Sequence, residues 1–236
     1  MAPSKQVDAL LSAFATADLT LVEWDIDLYR RLGYPLVPNG DLIFLLPDEQ
    51  LHLADDICVA LGFSAVDNEH LKPRYAVEHS GVALRYILEP RKYDPDRRLI
   101  LLPMSWPGIT RDELLRVTTE NSHLLCPLWT VLFSATCIAL VRLVVRESRN
   151  MKIRNRMIAD ISGLIAYRFC DMTYDGDYET FPDDDEPLSE KEIMEINNAV
   201  QSVKGWDVKS EDEWIKRELM SIIAGKSRYE DLPRAT

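Results

Sequence analysis

The sequence has little positive charge. Its 236 residues contain 27 Lys and Arg but 39 Asp and Glu, which gives a formal net charge of -12 at pH 7. A protein that follows a phosphate backbone needs clustered Lys and Arg to displace counterions. We therefore expect no long nucleic acid as a partner. The length and the hydrophobic fraction of 47% are ordinary for a globular protein with a real core.

The sequence also lacks a recognisable cysteine pattern, and we expect no signal peptide in it. The four cysteines form no CxxC pair and match no zinc-binding spacing. We interpret them as small buried side chains in a reducing compartment. Residues 1–11 contain one lysine and no apolar core long enough for a signal peptide. These features predict a cytoplasmic protein.

One long segment is free of charge. Residues 124–141 contain no charged side chain, and six basic residues follow between 142 and 156. Length and flanking charge both resemble a membrane span. However, Pro127 is typical of a helix start, and Thr130, Ser134 and Cys137 form a weakly polar stripe. We therefore expect a buried core helix here and no membrane partner.

The predicted elements run as helix, strand, helix, hairpin, strand and then several helices. Apolar periodicity and turn residues predict helices over 7–15, 21–32, 47–61, 111–116, 127–147, 156–169 and 211–223, and another that begins at Ser189. Strands are predicted over 41–46, 75–79, 82–88 and 98–102. This order is typical of an α+β fold. We expect a sheet region over 1–122, a helical region packed on it over 123–236, and an exposed acidic loop over 171–187.

Three stretches carry a family resemblance. They are GDLIFLLPDEQ at 40–50, the predicted strand at 98–103, and MIADISGL at 157–164. Together they resemble the minimal nucleotidyltransferase fold of small antibiotic-modifying and fungal stand-alone members. In that family the corresponding parts are the strand with an Asp-x-Asp pair and its following helix, a late strand, and a C-terminal helix. The resemblance spans about 19–169 and implies a small mixed β-sheet of the nucleotidyltransferase type with a helical C-terminal half.

The acid set that this resemblance implies is incomplete. Nucleotidyl transfer needs two or three carboxylates that hold divalent metal, and acids at i and i+2 of a strand share one face. Asp41 is present, but Ile43 stands at the second position. Arg85 lies on the strand that would carry the third acid, and residues 22–25 have no glycine where the family has its phosphate loop. We therefore expect neither metal nor cofactor.

The same positions predict a pocket for a small apolar organic substrate. We expect Asp41 and Arg85 to be catalytic, and Arg85 also to pair with Asp41. The other candidate pocket residues are Trp24, Asp25, Ile43, Tyr86, Trp106, Trp129 and His79. The expected reaction is a metal-free cyclisation or isomerisation. By analogy, such a converted fold suits an enzyme of fungal secondary metabolism.

Plainer interpretations and other functions stay open. Trp24 and Tyr86 are also typical of a core, and His79 is typical of a hairpin. An active nucleotidyltransferase with displaced metal ligands would use the spare carboxylates of Asp25, Asp27 and Glu89. A non-catalytic protein would instead bind partners through its acidic surface and its C-terminal helices. A cavity, a metal pair or a filled cleft would distinguish the three.

Overall fold

Six strands and seven α-helices make up the described part of the chain. The computed structural model describes residues 5–38, 40–66, 81–89, 96–118, 126–147, 149–171 and 188–234. The strands are β1 (Leu21–Glu23), β2 (Leu42–Leu46), β3 (Leu84–Glu89), β4 (Arg97–Pro103), β5 (Leu114–Arg116) and β6 (Leu128–Val131). The helices are α1 (Lys5–Thr16), α2 (Ile26–Arg31), α3 (Leu51–Ala60), α4 (Phe133–Arg146), α5 (Met151–Phe169), α6 (Glu190–Lys204) and α7 (Glu213–Ile223).

The strands form one mixed sheet in the order β3-β4-β2-β1-β6-β5. β2 runs parallel to β4, and β1 runs parallel to β6. The other three neighbouring pairs are antiparallel. The general expectation of a sheet combined with helices is therefore confirmed. The sixth strand comes from the part of the chain that was predicted to be helical.

Helices cover both faces of the sheet. Phe44 and Leu101 pack with α1 and α3 on one side, which we call the α3 face. Ile43, Leu45 and Ile100 pack with α2, α4, α5 and α7 on the other side, which we call the α5 face. Alternate residues of a strand point to opposite faces. The long apolar runs of β2 and β4 thus supply both halves of the core.

Three predicted helices begin instead with strand or turn. The predicted helix 21–32 is β1 followed by the short α2, and the predicted helix 127–147 is β6 followed by α4. The predicted helix 111–116 is a single 3-10 turn followed by β5. These predictions were wrong because sheet pairing overrides local helical preference. Leu21 and Val22, for example, are buried between β2 and β6.

The other predicted elements agree with the described structure. Ser189 begins α6 with a reciprocal capping box: its hydroxyl accepts from the Glu192 N–H, and its own N–H donates to the Glu192 carboxylate at 2.7 Å. The predicted strand 75–79 and residues 172–187 of the predicted acidic loop lie outside the described residues. Among the helices described, none combines the length and the apolar character needed to cross a membrane.

Arg154 fastens the C-terminal segment to the corner between α4 and α5. Its side chain is only 1% exposed. The guanidinium donates to the carbonyl oxygens of Val144 at 2.9 Å, Leu232 at 3.0 Å, Glu230 at 3.1 Å and Pro233 at 3.4 Å. A planar group with five N–H donors is suited to this task, because it satisfies several carbonyls at once.

We predict that Arg154→Met lowers the free energy of unfolding by about 3 kcal/mol or more, because several buried carbonyls lose their donor. Urea unfolding followed by circular dichroism measures this change. Arg149→Met is the matched control, since Arg149 is exposed, and it should alter stability by less than about 0.5 kcal/mol. Equal effects of the two substitutions would contradict the assigned role of Arg154.

Candidate functional site

A lateral row of buried side chains crosses the α5 face. Arg85 on β3 lies opposite Ile100 on β4, which in turn lies opposite Ile43 on β2. Trp24, which directly follows β1, continues the row beside Ile43. Its main-chain N–H donates to the carbonyl of Ile43 at 3.1 Å. All four side chains are buried. The structure therefore brings together two residues predicted to line a pocket, Trp24 and Ile43, and one predicted to be catalytic, Arg85.

Asp41 lies on the same face, at the start of β2. It is buried, and its Oδ1 accepts from the main-chain N–H of Arg98 at 2.8 Å. In the strand register, Arg85 lies level with Ile43, two residues beyond Asp41. The Arg85 guanidinium donates to the carbonyl of Ala83 at 3.2 Å. Burial lowers the pKa of Arg85. Asp41 thus anchors the β2–β4 pairing, in addition to any other contact it makes.

Tyr86 lies on the opposite side of the sheet. It packs on the α3 face, where its hydroxyl donates to the carboxylate of Asp55. This corrects the expectation that Tyr86 shares a pocket with Arg85 and Ile43. The physical reason is strand alternation, which sends adjacent residues to opposite faces.

The two other candidate tryptophans, Trp106 and Trp129, belong to the α5 face. Trp106 is buried, and its Nε1–H donates to Glu147 at 3.0 Å. Trp129 on β6 pairs with Val22 and is half-buried against the same core. His79 lies outside the described residues. Trp106 therefore has its own hydrogen-bond partner within the core, unlike Trp24.

Asp25 has the most unusual backbone and burial near the predicted site. It follows Trp24 at the end of β1 and is only 1% exposed. Its φ of 57° and ψ of -131° lie in a region that glycine adopts readily and that costs other residues about 1–3 kcal/mol. Neither carboxylate oxygen of Asp25 has a well-formed hydrogen-bond partner, and the same holds for the Trp24 indole N–H.

Two residues of α5 and one of α2 surround this carboxylate. Asp160 is buried and pairs with Arg156 at 2.9 Å. Tyr29 is fully buried one helical turn after Asp25, and its hydroxyl lies close enough to Asp160 to lower the pKa of that acid without completing a well-formed hydrogen bond. We call Asp25, Tyr29, Arg156 and Asp160 the Asp25 cluster.

Burial controls the charge of the two acids. The pKa of Asp25 is raised to about 7, first by burial and then by the neighbouring Asp160, against the opposing effects of Arg156 and the N–H of Ile26. Burial also raises the pKa of Asp160, to about 6, against the opposing effect of Arg156. The two carboxyls are close enough to titrate as a pair. Near neutral pH the carboxyl of Asp25 therefore exists in both its protonated and its ionised form.

The cluster reaches the surface through Arg156, whose side chain is 38% exposed. Asp25, Asp160 and Tyr29 are otherwise enclosed by the core. A buried acid without a full set of partners is a common sign of a functional position. Within the described ranges, no group of three or more His, Cys, Asp or Glu side chains is arranged to hold a metal ion.

Sequence reasoning named Asp25 but not its partners. One signal was available, because Asp160 interrupts the apolar stripe that Met157, Ile161 and Leu164 form on α5. A carboxylate on the buried side of a helix predicts a polar partner inside the core. The sequence does not indicate that this partner group would include Asp25, which lies far away along the chain.

We predict that Asp25→Gly raises the free energy of unfolding by about 1–3 kcal/mol at pH 8, because glycine relieves the backbone strain and removes a buried charge. The folded-state pKa of Asp25 lies above its unfolded value of 3.8. Its contribution to stability is therefore lost as pH rises through about 7. The gain from Asp25→Gly should consequently be smaller at pH 5.5 than at pH 8 in urea unfolding experiments.

Asp18 supplies the matched control for this prediction. It also has a positive φ, of 53°, but its side chain is exposed. Asp18→Gly should show no comparable pH dependence. Asp25→Ala removes the carboxylate but keeps the strain, so it separates the two effects. Destabilisation by Asp25→Gly at both pH values would show that the strain and burial of Asp25 are not costly.

Comparison with known proteins identifies no relative of this chain. No protein-family model matches the chain, and neither the curated proteins nor the solved structures include a significant match.

Proposed function

We propose that this protein is a degenerate member of the nucleotidyltransferase fold that performs metal-free proton transfer on a small apolar organic molecule. The substrate carries a hydroxyl or carbonyl group. The observation that carries this proposal is the Asp25 carboxyl, which is buried, strained and without a well-formed hydrogen-bond partner. A cyclisation or an isomerisation belongs to this reaction class.

The arrangement of elements supports the proposed fold type. Under this proposal, β2 and α3 correspond to the family's Asp-x-Asp strand and its following helix, β4 to the late strand, and α5 to the C-terminal helix. Residues 22–25 would then correspond to the family's glycine loop. Asp25 has a positive φ there, which is typical of glycine. This is expected if the loop kept its backbone conformation after the glycine was replaced.

The residues on the α5 face do not fit a pair of magnesium ions. The position of the second acid is Ile43, which is buried and apolar, and Arg85 lies in the same lateral row. Magnesium requires oxygen ligands, and a guanidinium in this row opposes a cation. No step of the proposed reaction therefore uses a metal.

The buried polar groups of Trp24 and Asp25, which have no well-formed hydrogen-bond partner among the described residues, indicate what the polar end of the substrate should carry. The indole N–H of Trp24 is a donor, and the Asp25 carboxyl either donates or accepts according to its protonation. A hydroxyl or carbonyl oxygen complements either group. Most of the other side chains of the α5-face core, Ile43 among them, are apolar, so the rest of the molecule should be a hydrocarbon.

Asp25 has a pKa suited to proton transfer near neutrality. A general acid or base is most effective when its pKa lies close to the working pH, and the pKa of Asp25 is raised to about 7. In an isomerisation, the Asp25 carboxylate takes a proton from a carbon beside the carbonyl and returns it at another carbon. Atoms and electrons balance without an oxidant. Asp160 and Arg156 set the charge of Asp25 during this exchange.

A non-catalytic function is the second candidate. It is favoured by the dense packing of Trp24, Ile43 and Trp106, all of which are nearly inaccessible to solvent. Under this alternative, the face that holds substrate in an active family member has become part of the core. Asp25 would then be a tolerated structural defect rather than a working acid.

We predict that the protein catalyses deuterium exchange at the α-carbons of a bound cyclic ketone, since this reaction needs only a positioned base. The test incubates a panel led by cyclohexanone in deuterated buffer with a metal chelator, and follows exchange by proton NMR. Asp25→Asn should slow the catalysed exchange by about 100-fold or more. The rate should increase as pH rises through about 7.

Asp18→Asn is the control, because it removes an exposed carboxylate at a comparable backbone angle, and it should keep the wild-type rate. Exchange that is no faster with the wild-type protein than with Asp25→Asn, for every ketone in the panel, would favour the non-catalytic alternative. Transfer of nucleotide from magnesium-ATP would contradict the metal-free assignment.

A further inference from the structure

A groove of about 360 Å³ opens where β6 gives way to α4. Its walls come from three separate parts of the chain: the 3-10 turn Arg111–Glu113, the start of α4, and the segment that precedes α7. None of its lining residues belongs to the Asp25 cluster. The groove is therefore independent of the proposed reaction site.

The floor of the groove is apolar. Leu132, Ala135, Ile138 and Val208 contribute to it. Leu132 is 56% exposed although it directly follows a strand of the central sheet. An exposed leucine beside further apolar surface is favourably covered by an apolar side chain of a partner. The groove volume is sufficient for one such anchor.

The rim of the groove is acidic. Asp112, Glu113, Asp207 and Asp212 line it together with a single ammonium group, that of Lys209. Asp212 is neutralised by Arg142, whose Nε donates to it at 3.0 Å. The Lys209 ammonium lies 3.3 Å from Glu113 and 3.9 Å from Asp112, so these two carboxylates share one cation. Asp112 and Asp207 are exposed, with 74% of the Asp112 side chain accessible. The four rim carboxylates outnumber the two cations that pair with them, Arg142 and Lys209, so the net charge at the rim is negative and complements a cation.

Ionic and hydrogen-bonded contacts hold the walls in place. Arg142 joins Asp212 on one wall to the carbonyl of Gly108, which its Nη1 reaches at 2.5 Å. Lys209 donates to the Thr110 hydroxyl at 2.6 Å. The groove therefore exists before anything binds. A preformed site loses less free energy to reorganisation on binding.

The start of α4 favours a peptide over a simple cation. Leu132 is the N-cap residue of α4, and its side chain has no atom that can accept from the N–H groups of the first turn. A peptide carbonyl can take that role. A metal ion or a polyamine offers neither this acceptor nor an apolar group for the floor.

We propose that this groove docks a basic peptide segment of a partner protein. One apolar side chain of the segment covers Leu132 and Val208, and Lys or Arg on either side of it pair with Asp112 and Asp207. A main-chain carbonyl of the segment accepts from the first turn of α4. The interaction is of the transient, exposed kind, in which each rim charge contributes modestly.

The probe is a blocked pentapeptide with a central leucine and two lysines on each side, titrated at physiological salt. Methyl and amide NMR shifts report binding at Leu132, Ala135 and Val208. The double substitution Asp112→Asn with Asp207→Asn should weaken binding about five- to tenfold, since two exposed ion pairs are lost. Leu132→Ser should weaken it by a similar factor.

The matched control is Asp18→Asn with Asp56→Asn. It changes the net charge equally, and both positions are exposed, one next to α1 and one on α3. It should leave the dissociation constant within about twofold. Equal weakening by both double variants would overturn the proposal, because it would show non-specific attraction. Equal binding of a peptide with serine at the centre, or with glutamate in place of lysine, would overturn it as well, as would an absence of shifts at the groove.

Discussion

Strand β1 is the connection on which the rest of the described structure depends. Its three residues lie between β2 and β6, antiparallel to the first and parallel to the second. In the observed strand order, β1 joins the β3-β4-β2 half of the sheet to the β6-β5 half. A strand this short contributes few hydrogen bonds, so burial of Leu21 and Val22 against both core layers must add to its stability.

The short length of β1 also creates the candidate site. The chain must leave the sheet after Trp24 and begin α2 at Ile26, which leaves Asp25 to make the turn. Asp25 makes it with a glycine-like backbone and a carboxyl that enters the core. Strain and desolvation both lower stability at this residue. A side chain that bears two unfavourable effects is therefore a candidate functional residue.

Parts of the fold with strong local signals could be predicted from the sequence. The apolar run of β2 after a turn and the capping box of Ser189 both indicate structure within a few residues. β1 and β6 could not be predicted, because three or four residues are too few to show a period of two. Their strand state follows from pairing with each other, across a long stretch of chain.

The candidate site, too, could be predicted from the sequence only in part. The shared face of Asp41 and Ile43 follows from their i, i+2 spacing, and Arg85 falls in the same row through strand pairing. The electrostatic interaction between Asp25 and Asp160 joins the end of β1 to α5. No local sequence pattern predicts it. The glycine-like backbone of an aspartate is likewise a property of the tertiary structure, since the residue type by itself indicates nothing unusual there.

The most direct test of this account is the carboxyl titration of Asp25, followed by carbon NMR on protein labelled at the aspartate carboxyls and assigned with Asp25→Asn. Work above pH 5.5 avoids the isoelectric point near 4.8. The account predicts an apparent pKa of about 7 for Asp25, together with a response at Asp160 in the same range. A carboxyl that is already fully ionised at pH 5.5 would contradict it, because Asp25 would then be an ordinary solvated acid.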